Sequence, residues 1–244
     1  MKRLARVSEA EVISEFLNAE FYRPEFDPDR AQFEAVVRRP NLEHPQENAV
    51  RRALLFRRRG HMWRELPADT EWWAVELEAG DLDRIRVFPR AQWRAISKQG
   101  YELGHIVERV RTARFEGSLA RVVHRIQTLS QKLQRLEQSH SAVLLIGINE
   151  SKPLTILEGN HRLTAALMVS PELARSRFRV LAGFSPRMTE SCWYVTNLPN
   201  LWRYAKNRLR NLRDCEADVN RVRTPETLPA MRASSATAEP KRVL

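Results

Sequence analysis

The amino-acid sequence predicts an α/β (α+β) fold, a small mixed sheet with flanking helices and a helical layer ahead of it. Three stretches carry that prediction. The run Ala142-Val143-Leu144-Leu145-Ile146-Gly147-Ile148 is continuous, apolar and short, as a buried strand is. After a turn over residues 149–153, Leu154, Ile156 and Leu157 form a second run. It stops at Glu158-Gly159-Asn160-His161-Arg162, where an alanine- and leucine-rich helical segment begins at once. Residues 177–184 read as a third strand.

Ahead of these, Ser8 with Glu11 forms a capping box, and Val12, Ile13, Phe16, Leu17 and Phe21 fall on one helical face. Pro24 and Pro28 interrupt the chain. Asp27 caps a second helix that carries Phe33, Val36 and Val37 and ends at Pro40. A third helix starts near Pro45 and runs through Ala49, Val50, Ala53 and Leu54, and the basic run Phe56-Arg57-Arg58-Arg59-Gly60 closes the layer. None of these helices has an apolar face broad enough to fold alone. Met62-Trp63, Leu66-Pro67 and Trp72-Trp73-Ala74-Val75-Glu76-Leu77 have the composition of strands. The three tryptophans read first as a packed core seam. The competing reading is a base-stacking surface, with Arg57 to Arg59 on phosphates.

Residues 81–89 read as a further strand and 90–96 as a short helix. Gly100 and Gly104 bracket a flexible connection of the kind that rims active sites. From Ser118 to about Gln138 a long helix is expected, with Leu119, Val122, Ile126, Leu129, Leu133 and Leu136 at heptad spacing. It is too short for a coiled coil to be assigned, so a packed helix or one side of a homodimer interface is expected. Cys192-Trp193-Tyr194-Val195 is an aromatic packing segment. A helix from Pro199 follows, with Leu201, Tyr204, Ala205, Leu209 and Leu212 as its apolar stripe and Arg203, Lys206, Arg208, Arg210 and Arg213 on its remaining surface. The organisation expected is an N-terminal layer with tryptophan-rich strands (1–80), a sheet domain (81–185), a basic helix (186–220) and a disordered tail (221–244).

The 244 residues can bury a real core, and 43% hydrophobic with 29% charged residues is the composition of a soluble globular protein. No apolar run approaches the ~20 residues that cross a bilayer, so no membrane partner is expected. The basic start lacks an apolar signal core, which points to the cytoplasm. Cys192 and Cys215 have no metal-type spacing, nor do the six histidines at 44, 61, 105, 124, 140 and 161. No Walker-type loop, nucleophile elbow or zinc-protease signature occurs. A net charge of +11 suggests an acidic partner, nucleic acid or nucleotide. The charge is almost wholly arginine, and a coding bias toward arginine would give the same number.

The turn at Gly159 is the candidate site. Glycine allows close approach, the first amides of the next helix lack internal partners, and Arg162 adds a forked donor, so the stretch suits a phosphate. His161 could bond a phosphate or donate a proton near neutral pH, or simply pack the turn. Glu158 could hold Mg²⁺ beside a polyphosphate, or take a proton from an attacking hydroxyl. The plainer alternative is an ion pair with Arg162.

The order helix, strand, turn, strand, G-N-H-R, helix, strand over residues 81–185 resembles the ParB/sulfiredoxin superfamily. Its members hold the phosphates of ATP, ADP or CTP on a G-x-x-R turn at a helix N-terminus. Gly159, Asn160, His161 and Arg162 occupy that motif, and Ala165 and Ala166 match the small residues that follow it. Relatives include nucleotide-dependent kinases of small molecules such as free serine. The resemblance therefore implies nucleotide binding with Mg²⁺, and phosphotransfer to a small-molecule acceptor or nucleotide hydrolysis. Asn160 stands where sulfiredoxin needs a cysteine, so sulfinic-acid reduction is not expected. Asn160-His161 also replaces the acidic-arginine pair of chromosomal ParB, so sequence-specific partition is not expected either. Two other classes stay open, a DNA- or RNA-binding accessory protein and a catalytically inactive interaction protein.

Overall fold

The structure, a computed structural model, describes residues 1–135 and 142–214. Leu136, Gln138, His140, Cys215 and the tail expected over 221–244 lie outside the described residues. The class is α+β. One six-stranded sheet runs in the order β1 (Lys2–Val7), β2 (Glu71–Glu76), β6 (Arg179–Phe184), β4 (Ala142–Gly147), β5 (Leu154–Glu158), β3 (Ile85–Arg86). The β4–β6 and β3–β5 pairs are parallel and the other three pairs are antiparallel.

Because side chains alternate across a strand, β4 supplies both sides of the core. Ala142, Leu144 and Ile146 meet α1 (Glu9–Glu20), α2 (Asp27–Arg38) and α3 (Pro45–Trp63). Val143 and Leu145 meet α4 (Ala91–Ser97), α5 (Leu103–Thr112), α6 (Gly117–Arg135), α7 (Asn160–Val169) and α8 (Pro171–Ser176). The last helix, α9 (Leu198–Asn211), lies along α3. The heptad spacing in α6 serves packing within the chain: Val123, Ile126 and Leu133 are buried in the core beside α7.

Several elements differ from the sequence reading, each for a local reason. α3 does not stop at the basic run but continues through Met62-Trp63, because Leu54, Leu55, Phe56, Met62 and Trp63 keep one helical side buried. Burial overrides the strand preference of Met-Trp here. Leu66-Pro67 forms a turn. The strand expected over 81–89 shrinks to Ile85–Arg86, since Glu78 and Asp81 cap a 3-10 turn over Ala79–Arg84. Gly104 sits inside α5, whose Leu103, Ile106, Val107 and Val110 are buried, so no flexible connection spans the two glycines. The edge strand β1 was not expected: five of its six residues are exposed, and no apolar alternation marks it. Its charged residues Lys2, Arg3 and Arg6 suit an edge, where they discourage pairing with another chain.

The tryptophans form a seam. Trp63 and Trp72 are buried and stacked, with ring centroids 5.9 Å apart, and Arg3 covers Trp73. The basic run is taken up by carboxylates, with Arg57 and Arg58 on Asp29 and Arg59 on Glu20 and Glu25. One arginine is fully interior. Arg51 donates to the carbonyls of Val36 (2.9 Å) and Asn41 (2.8 Å), to Asn48 Oδ1 (2.5 Å) and to Glu47 (3.2 Å). It ties the end of α2 to the first turns of α3.

Candidate functional site

β5 delivers the chain into α7 through Gly159, whose φ of +99° lies in the left-handed region. A Cβ there would stand 3.0 Å from Val143 Cγ2 and 3.4 Å from its Cα, so the turn lies directly against β4. Gly159→Ala is expected to cost at least about 1–2 kcal/mol from the backbone alone. A urea midpoint equal to that of the wild type would refute this.

The polar side chains of the turn are largely engaged by the protein. Asn160 Oδ1 accepts from the Phe88 amide at 2.8 Å, and Asn160 Nδ2 donates to the Ile156 carbonyl at 3.3 Å. The asparagine thus fastens the segment after β3 to β5. Arg162 donates to the Ala142 carbonyl (2.9 Å) and to Glu158 (3.3 Å), which is the plainer of the two arrangements the sequence left open. His161 packs against Trp93, centroids 5.1 Å apart, with Nε2 3.1 Å from Gln92 Nε2. Burial, followed by the charges of Arg125, Arg23 and Arg162, pushes its pKa down to about 4. With nothing bound beside it, His161 is therefore neutral at pH 7. The first amides of α7, by contrast, have no side-chain cap. They remain available with the positive end of the helix dipole behind them.

These amides adjoin a cavity of about 100 Å³ between the N-terminal helices and the sheet. Glu158 and His161 line one wall, and Glu20, Arg23, Arg59 and Arg90 line the others. Glu20, at the end of α1, is 2% exposed and pairs with Arg23 (2.5 Å) and Arg59 (3.3 Å). Burial, and after it the nearby Glu158 carboxylate, raises its pKa to about 7 in spite of both arginines. Arg90 lies over the Phe88 ring at 4.7 Å and has no carboxylate partner among the described residues. Solvent reaches it, yet the surrounding protein and the charge of Arg59 hold its guanidinium below the usual arginine range. The cavity opens outward into a wider hollow that shares Arg23, Arg59 and Arg90 and is bordered by His61, Trp193 and Tyr204. His61 is also neutral at pH 7, with burial first and then Arg90, Arg59 and Arg208 pushing its pKa to about 4.

The site joins the glycine turn to residues that sequence reasoning did not single out. Glu20 carried a usable signal, since it follows Phe16 by four and Leu17 by three, inside the apolar stripe of α1. A carboxylate on that stripe has to be paired or functional. Arg23 and Arg90 carried none. Arg59 was visible only as part of a basic run.

No family model matches the chain, and no curated protein or solved structure matches it significantly. No helix among the described residues is long and apolar enough to cross a membrane.

Proposed function

We propose that the chain binds a nucleotide in this cleft, with the phosphates between the first turn of α7 and the guanidinium of Arg90, and supports phosphoryl transfer or nucleotide hydrolysis there. Arg90 carries this reading. A cation in a concave, partly desolvated place without a carboxylate to pair with is poised for an anionic ligand. Arg23 and Arg59 stand on the same walls and add positive field. The backbone amides after Gly159 keep the phosphate role that the sequence gave the G-N-H-R turn, while the Arg162 side chain orients Glu158.

Two carboxylates that line one cavity and feel each other's charge also suit a hard cation. Glu20 and Glu158 would hold Mg²⁺ together with phosphate oxygens and water. No group of three or more histidine, cysteine or acidic residues occurs among the described residues, so a metal held by protein ligands alone is not the fit. Bound there, the ion would offset phosphate charge. In the alternative without a metal on it, Glu158, at the end of β5, would take the proton of an acceptor hydroxyl. Phe88 and Trp93 dry the inner wall, which strengthens each charge contact.

Calorimetric titration with ATP, ADP and CTP in the presence of Mg²⁺ tests the reading. Binding of at least one nucleotide is expected, weakened about 10- to 100-fold in Arg90→Ala, the loss of one charge-assisted contact. If the wild type binds none of the three, the reading fails.

A further inference from the structure

α9 is mounted with its polar side toward the protein. Asn200 donates to the carbonyls of Thr189 (2.9 Å) and Val195 (2.7 Å), and Asn207 donates to Glu65 Oε1 (2.6 Å). Between them Tyr204 stands edge-on to Trp193, centroids 5.0 Å apart. At roughly 100° per residue these three residues share one side of the helix. Of the stripe expected from the sequence, Tyr204 packs inward, while Leu201, Ala205, Leu209 and Leu212 face outward together with Leu198 and Trp202. Leu198 is 83% exposed, Leu201 43%, Trp202 68%, Leu209 66% and Leu212 79%. Turning the stripe inward would break the asparagine bonds and bury polar groups unpaired.

The flanks of the stripe are cationic. Lys206, Arg208, Arg210 and Arg213 are exposed and have no carboxylate partner among the described residues, and α9 contains no acidic residue. A second copy of the same face would set arginine against arginine with nothing to neutralise them. A nucleic-acid duplex would satisfy the cations but would offer no apolar layer for four leucines and a tryptophan. An anionic lipid surface supplies both, with acyl chains below the stripe, the headgroup zone for Trp202 and phosphates for the flanks. We infer that α9 docks the protein on an anionic lipid surface, lying in its plane. At about 1.5 Å per residue the helix is about 21 Å long, too short to span a bilayer and long enough to lie on one.

Sedimentation of the full chain with vesicles tests this, using phosphatidylcholine alone or mixed with phosphatidylglycerol. The wild type is expected to bind the mixed vesicles and not the neutral ones, and to release as salt is raised. The double substitution Leu209→Ser, Leu212→Ser lies on exposed positions and is expected to keep the circular dichroism and melting temperature. It should weaken vesicle binding about tenfold or more, and Lys206→Gln with Arg210→Gln should do the same. Failure of the wild type to bind mixed vesicles overturns the inference. So does binding that ignores the leucine substitutions, which would mark mere charge attraction. A dimer in light scattering that Leu209→Ser, Leu212→Ser dissociates would make the face a self-interface. Vesicle binding that emerges only after residues 215–244 are removed would mean that the chain's own end covers the stripe. Duplex DNA binding by a wild type that ignores vesicles would assign α9 to nucleic acid. Each of these three results also overturns the inference.

Discussion

Arg51→Met is expected to remove roughly 3–5 kcal/mol of stability, a large share of what a domain possesses. Methionine nearly fills the space, so the loss comes from polar groups left behind rather than from a cavity. The Val36 carbonyl loses its donor in the interior, and the Asn41 carbonyl, the Asn48 amide oxygen and the Glu47 carboxylate lose theirs at part-buried positions. An unpaired charge and orphaned acceptors cost far more than the ion pair contributes when intact. Arg52 is the internal control. It is part-exposed and pairs with Glu9 at 2.9 Å, so Arg52→Ala should cost no more than about 1 kcal/mol. Urea unfolding at constant slope reads both. Equal midpoint shifts for the two variants would show that burial of Arg51 is not what matters.

Glu20→Gln should act in the opposite direction and depend on pH. In the folded protein the Glu20 carboxyl titrates at about 7, against an ordinary 4.5. Between those values the folded state keeps a proton that the unfolded chain has released. Stability therefore falls as pH rises through this window and is flat above it. Glutamine removes the cost of ionising a buried acid, so the variant should be more stable at pH 8 by on the order of 3 kcal/mol, and close to the wild type near pH 4.5. Unfolding measured in urea across pH 4.5 to 8 gives the difference directly. A difference that does not change with pH would sink the assignment.

The same contrast explains what could be read in advance. β4 and β5 were legible because a strand buried on both sides is a continuous apolar run, and Gly147 and Gly159 punctuate them. β1 was not, since its hydrogen bonds to β2 are made by backbone and its side chains face water, leaving no pattern to detect. The stripe of α9 divides: Tyr204 packs inward as its pattern suggested, while Leu201, Leu209 and Leu212 face outward, because periodicity specifies a face and not what the face meets. Asn200 and Asn207 decide that, through contacts with residues distant in the chain. In the candidate site, the turn Glu158 to Arg162 was visible as local chemistry. The cleft needed tertiary structure, for it appears only when α1 and α3 are laid over the end of β5 and bring Glu20, Arg23 and Arg59 to the turn.

The sheet order also imposes a wait during synthesis. β2 pairs on one side with β1, which has already been made when β2 emerges, but its other side is filled only by β6, with Glu71 opposite Phe184. At about 5–20 residues per second, the ribosome would leave that backbone edge unmatched for on the order of 10 seconds. Nascent chains on neighbouring ribosomes offer each other the same open edge during that interval, so yield in a cell should depend on how crowded the messenger is as well as on how stable the finished protein becomes.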